Sequence, residues 1–127
     1  MKDYMRLVGN KFIFLFLFCC QFLIGQEFIT SKTLNNKIGS GIVVVEIWAE
    51  FNKGNEVSWI SQLDDCFIYR ITIQEASTLK PKTVPTIIVY NSGEEYERFS
   101  ANIMLKLDAT QKEIQEVVDQ ITLSKFE

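Results

Sequence analysis

From residue 28 to residue 123 the apolar positions switch repeatedly between a period of two and a helical period, and each switch marks an element. Phe28-Ile29 reads as a short strand, after which Thr30 or Ser31 caps a short helix through Leu34 and Ile38 that stops at Gly39-Ser40-Gly41. Ile42-Val43-Val44-Val45-Glu46-Ile47-Trp48 is β-branched and almost continuously apolar, as expected of a strand buried on both faces in the middle of a sheet. Val57, Trp59, Ile60 and Leu63 then fall on one side at helical spacing, which predicts a helix over 55–63 opening near Gly54 or Asn55. Phe67 to Ile73 predicts another strand, and Glu75 to Lys80 a short helix stopped by Pro81.

The last third predicts a strand at Thr86-Ile87-Ile88-Val89-Tyr90 and a turn at Asn91-Ser92-Gly93-Glu94. A strand returns through Glu95-Tyr96-Glu97-Arg98-Phe99. Thr110-Gln111-Lys112-Glu113 is a capping box opening a helix whose buried stripe is Ile114, Val117, Val118 and Ile121. Asn102 to Asp108 fits no element by pattern, an extension of the last strand being one option. The order is β-α-β-α-β-α-β-β-α. It predicts an α/β fold with a central mixed sheet, parallel crossovers followed by an antiparallel hairpin, and helices on both faces.

The first 25 residues follow another logic. Lys2, Arg6 and Lys11 precede the apolar run Phe12 to Ile24, and polar residues resume at Gln26, which is the layout of a secretory signal peptide. The run is short for a bilayer span, which takes roughly 20 apolar residues. Residues 1–25 are therefore read as a signal peptide or an N-terminal membrane anchor, and residues 26–127 as one domain. Cys19 and Cys20 raise lipidation as a further option, but Phe18 and Cys19 are not the small residue expected just before a lipidated cysteine. The alternative role for both is apolar filler.

The chain carries a net charge of −3, and its first 25 residues contribute +2, which leaves −5 on the remainder. An acidic domain without a basic cluster does not suit nucleic acid, whose phosphates need Lys and Arg. Histidine is absent from the sequence, which removes His-based acid–base catalysis and the commonest zinc sites. Cys66 alone lies beyond the leader, so an intramolecular disulfide within residues 26–127 is excluded by count. Its expected role is a small apolar residue at a strand start, with an intermolecular or reactive thiol as the alternative.

Val45-Glu46-Ile47-Trp48-Ala49-Glu50-Phe51 resembles the V-D-F-W-A-E-W run of thioredoxins. Val84-Pro85-Thr86 resembles their cis-proline loop, and Asn91-Ser92-Gly93-Glu94 their N-G-E hairpin turn. The resemblance covers nearly all of residues 27–123, and the element order above is that of the thioredoxin fold. The family continues W-A-x-[WF] with C-x-x-C; this chain continues with Asn52-Lys53-Gly54-Asn55. In the family the first cysteine is the attacking thiolate and the second resolves the mixed disulfide, so the resemblance implies a domain without disulfide reductase activity.

The resemblance also places Glu46 where the family has a buried aspartate, and Arg70 opposite it in place of a lysine, which implies a buried ion pair. It implies a cis bond at Val84–Pro85 and a surface of Trp48, Phe51, Val84 and Pro85 on which an extended peptide adds as a strand. No cofactor and no metal are implied. The expected function is an exported, redox-inactive domain, periplasmic or at the cell surface, that binds a protein or extended peptide. Alternatives are a divergent oxidoreductase using Cys66, which needs that thiol exposed beside the Pro85 loop, and a structural subunit held to a membrane through residues 12–24.

Overall fold

The computed structural model describes residues 27–126; the leader assigned to residues 1–25 lies outside them. The described chain folds around a five-stranded mixed sheet in the order β1-β3-β2-β4-β5. The strands are β1 (Glu27–Phe28), β2 (Ile42–Trp48), β3 (Phe67–Thr72), β4 (Thr86–Asn91) and β5 (Glu94–Ser100), with helices α1 (Ser31–Ile38) and α2 (Gln111–Ser124). β3 runs parallel to both β1 and β2, while β4 is antiparallel to β2 and β5 to β4.

Residues Ile42 to Ile47 of β2 are all buried, and their alternation divides the core in two. Val43, Val45 and Ile47 pack with Ile71, Ile88 and Tyr90 beneath Leu34 and Ile38 of α1. Ile42 and Val44 pack with Ile87 and Val89 beneath Ile114, Val117, Val118 and Ile121 of α2. Glu46 belongs to the second face and is its fully buried polar member. Helix α2 starts where the capping box predicts: the Thr110 hydroxyl accepts from the Glu113 N–H at 3.2 Å. Ser92 and Gly93 both have positive φ, 51° and 88°, which is the primed two-residue turn that matches the twist of the β4–β5 hairpin.

Three expectations are corrected. The helix expected over 55–63 is instead two short 3₁₀ segments, Glu50–Asn55 and Ile60–Gln62. The N–H of Val57, which a continuous helix would use internally, donates at 3.1 Å to Oε2 of Glu46, and Glu56 before it is extended (φ −54°, ψ 149°). Val57, Ile60 and Leu63 are still buried, so the apolar spacing served a core contact without a helix. Between Glu75 and Lys80 the chain makes turns with one 3₁₀ segment, Ser77–Leu79. Asn102 to Asp108 extends no strand: it is a loop folded around the side chain of Asn102.

Candidate functional site

Asn52 and Asn55, the two asparagines that the sequence resemblance singles out, are bonded to each other. Nδ2 of Asn55 donates to Oδ1 of Asn52 at 2.9 Å. Asn52 then uses both of its own N–H donors, to the carbonyl of Val84 at 2.8 Å and to the carbonyl of Leu105 at 3.1 Å. An amide has two donors and an acceptor on one planar group, so it can satisfy all three partners at once, which neither a thiol nor a carboxylate can do. The result is a latch. The turn after β2, the loop before β4 and the loop after β5 are tied together at one side chain.

The third of these loops is internally braced. Oδ1 of Asn102 accepts from the N–H of Met104 (2.8 Å) and of Lys106 (3.2 Å), its Nδ2 donates to Asp108 (3.0 Å), and Leu105 takes the left-handed conformation, φ 59°. This geometry turns the Leu105 carbonyl to Asn52 and leaves Ile103 and Met104 in solvent, Ile103 at 96 % exposure. Phe51, next to Asn52, is 74 % exposed. Three large apolar side chains thus stand on segments that the latch joins. Beside them Gly54, Asn55, Ser58 and Trp59 face Lys106 and Leu107 across a small cleft of about 240 Å³. Lys53 and Gly54 are exposed and make no side-chain hydrogen bond among the described residues.

The structure treats the four expected surface residues differently. Phe51 is on the surface. Trp48 is half-buried, with the Phe28 ring edge-on at 6.1 Å and the Arg70 guanidinium 4.9 Å over its ring. The Val84–Pro85 bond is cis, and both residues are buried. Val84 packs into the core beneath α1 with Val45, Ile47 and Ile88, so its side chain lines no groove, and its carbonyl is already occupied by Asn52. Strand addition at Val84 would have to displace that bond.

Beneath the latch turn lie Glu46 and Arg70, paired across β2 and β3. Arg70 Nε donates to Glu46 Oε1 at 3.0 Å, and Arg70 Nη2 lies 3.4 Å from Glu56 Oε2 at ion-pair distance. Glu46 is fully buried and Arg70 nearly so. Burial is the largest influence on Glu46 and pushes its carboxyl above the usual glutamate value, against the Val57 N–H and the Arg70 charge. The Arg70 guanidinium also lies over the Phe28 ring at 5.2 Å, and Arg70 Nη2 and Trp48 Nε1 are buried without a hydrogen-bond partner among the described residues.

Cys66 is at the other end of the sheet. It precedes Phe67, which pairs with Val43, whereas Thr86 after Pro85 pairs with Ile47, a separation of roughly 13 Å along β2. Burial, with Asp64 and Asp65 nearby, pushes the thiol up to about 12. The condition that an oxidoreductase reading places on Cys66, a reactive thiol beside the Pro85 loop, is not met.

Sequence reasoning missed Ile103, Met104 and Asn102. The available signal was an asparagine followed by two large apolar residues in a stretch with no strand or helix period.

No protein-family model matches the chain, and no curated protein matches it in sequence. Solved structures do. A mutant thioredoxin from Halobacterium salinarum superposes with a TM-score of 0.61 at 18% identity, covering 76% of this chain and 90% of that one. Malassezia sympodialis thioredoxin gives a TM-score of 0.55 at 18% identity over 77% of this chain and 91% of its own. A mutant thioredoxin from Entamoeba histolytica gives 0.57 at 14% identity over 76% and 99%. With its mixed five-stranded sheet, helices on both faces and these likenesses over most of its length, the chain has the thioredoxin-like α/β fold.

Proposed function

We propose that this domain is an exported, redox-inactive thioredoxin-like module that binds a protein or an extended peptide at the end of the sheet where thioredoxins carry their cysteines. The observation that carries the reading is the Asn52 latch. The side chain at the attacking-cysteine position is spent on three hydrogen bonds that hold neighbouring loops together, and those loops present Phe51, Ile103 and Met104 to solvent. A braced loop that exposes two consecutive large apolar residues keeps them ordered in water, which costs solubility and favours a partner that buries them. The binding surface is therefore assigned to Phe51, Ile103 and Met104 over the half-buried Trp48, with side-chain burial as the main source of affinity. Pairing of a peptide backbone with Val84 is secondary, because Asn52 already holds that carbonyl.

The test uses a panel of extended apolar peptides and fluorescence polarisation with residues 26–127. Ile103→Ser with Met104→Ser should weaken binding at least tenfold while leaving the melting temperature within a few degrees, since both side chains are exposed. Unchanged binding in that double variant and in Phe51→Ser would place recognition elsewhere on the domain.

A further inference from the structure

The latch gathers lysines as well as apolar side chains. Asn52 bonds to the carbonyls of Val84 and Leu105, and each of the three loops so joined carries one lysine within two residues of its bonded group: Lys53, Lys82 and Lys106. All three are exposed, and none forms an ion pair among the described residues, whereas Lys37, Arg70 and Arg98 each have a carboxylate partner. The same reach contains one acidic residue, Glu50. Two further carboxylates lie just beyond it and are engaged. Glu56 stands 3.4 Å from Arg70 Nη2, and Asp108 accepts from Nδ2 of Asn102 at 3.0 Å.

This local excess of +2 runs against the rest of the domain, since residues 26–127 carry −5 in all and therefore −7 elsewhere. The cleft beside the latch has the same character. Its charged lining residues are Lys106 and Glu56, and Glu56 is turned to Arg70, so Lys106 is the charge left to meet a ligand. The backbone of Lys106 is held at this post from both sides. Its N–H donates to Asn102 Oδ1 at 3.2 Å, and its carbonyl accepts from the Asn102 N–H at 2.8 Å.

We infer that the ligand of this face is an acidic one: an extended peptide segment whose large apolar side chains cover Phe51, Ile103 and Met104 and whose flanking Asp or Glu carboxylates meet Lys53, Lys82 and Lys106. The inference rests on the peptide-binding reading above and narrows it to a class of sequence. Apolar burial supplies most of the affinity, while the exposed charges select, by raising the encounter rate of complementary segments and turning away basic ones. An anionic membrane also combines apolar depth with negative groups, but it would repel a domain whose net charge is −5.

The test is equilibrium and stopped-flow fluorescence with residues 26–127, which hold the whole sheet and both core faces. Three labelled peptides share a Val-Phe-Val-Ile centre and differ in their flanking pairs, which are Asp, Asn or Lys. At low salt the Asp-flanked peptide should bind at least fivefold tighter than the Asn-flanked one, and the Lys-flanked one should bind weakest. The difference should lie mainly in the association rate and should vanish toward about 1 M salt, where the screening length falls to about 3 Å. Lys53→Gln, Lys82→Gln and Lys106→Gln together should bring the Asp-flanked peptide down to the Asn-flanked level, and Lys53→Glu, Lys82→Glu and Lys106→Glu should reverse the ranking. Equal affinity for Asp and Asn flanks, with both peptides still weakened by Ile103→Ser and Met104→Ser, would overturn this inference and leave the apolar site standing. Absence of binding by all three peptides would overturn both. Binding to phosphatidylglycerol vesicles that the lysine substitutions abolish, with no ranking among the peptides, would also overturn the inference and make the face a membrane contact.

Discussion

Asn52 concentrates the account in one amide. Its two donors meet two carbonyls, of Val84 and Leu105, and its acceptor meets Asn55. Asn52→Ala removes all three bonds and should cost about 1–3 kcal/mol in chemical denaturation. Asn52→Asp is nearly isosteric, yet its carboxylate would face both carbonyl oxygens with no proton to donate, so at pH 7 it should destabilise more than alanine and recover part of the loss as the pH is lowered. A milder effect for aspartate than for alanine would show that the latch is not formed in solution. Glu46 gives a second residue-scale expectation. Its folded-state carboxyl is raised above the ordinary value near 4.5, so the folded protein holds that proton more tightly than the unfolded chain. The contribution is complete below the ordinary value and is lost as the pH rises through the raised one. Urea midpoints measured from pH 4 upward should therefore show a declining component that disappears in Glu46→Gln. Arg70→Met alone leaves the carboxylate buried and should cost about 3–5 kcal/mol, whereas replacing Glu46 and Arg70 together with apolar residues should cost much less.

At the scale of elements, the loop from Asn102 to Asp108 behaves as a unit built on one side chain. Asn102→Ala removes the bonds to Met104, Lys106 and Asp108, so amide exchange in residues 103–106 should accelerate at least tenfold while the β2 and β4 amides stay protected. Uniform acceleration across the sheet would mean that the loop is part of the global folding unit. Five strands and both α-helices were legible in the sequence, because each buries a stripe with the right period and carries its own turn or cap, as at Thr110 and Gly93. The segment after β2 was misread for a physical reason. Val57, Ile60 and Leu63 have helical spacing and are buried, but Glu46, eleven residues earlier, takes the Val57 N–H, and a period cannot report a competing acceptor from another strand. Asn52 and Asn55 stood out in the sequence, whereas the latch they form did not, since its partners lie 32 and 53 residues away in sequence.

Over the whole molecule the fold is thioredoxin-like, with α1 on one face of the sheet and α2 on the other, and the turn after β2 carries the bonded amide pair Asn52–Asn55. Cys66, the one cysteine among the described residues, sits at the opposite end with its thiol pushed up to about 12, where the thiolate is scarce at neutral pH. The central claim is that the scaffold has kept a binding surface and given up redox chemistry. The most direct measurement is one preparation of residues 26–127 assayed both for reduction of insulin disulfides with dithiothreitol as electron donor and for peptide binding. The account predicts insulin reduction no faster than dithiothreitol alone, unchanged by Cys66→Ser, together with peptide binding that Ile103→Ser and Met104→Ser weaken at least tenfold. Reduction well above that background and abolished by Cys66→Ser, with peptide binding indifferent to Ile103 and Met104, would contradict it.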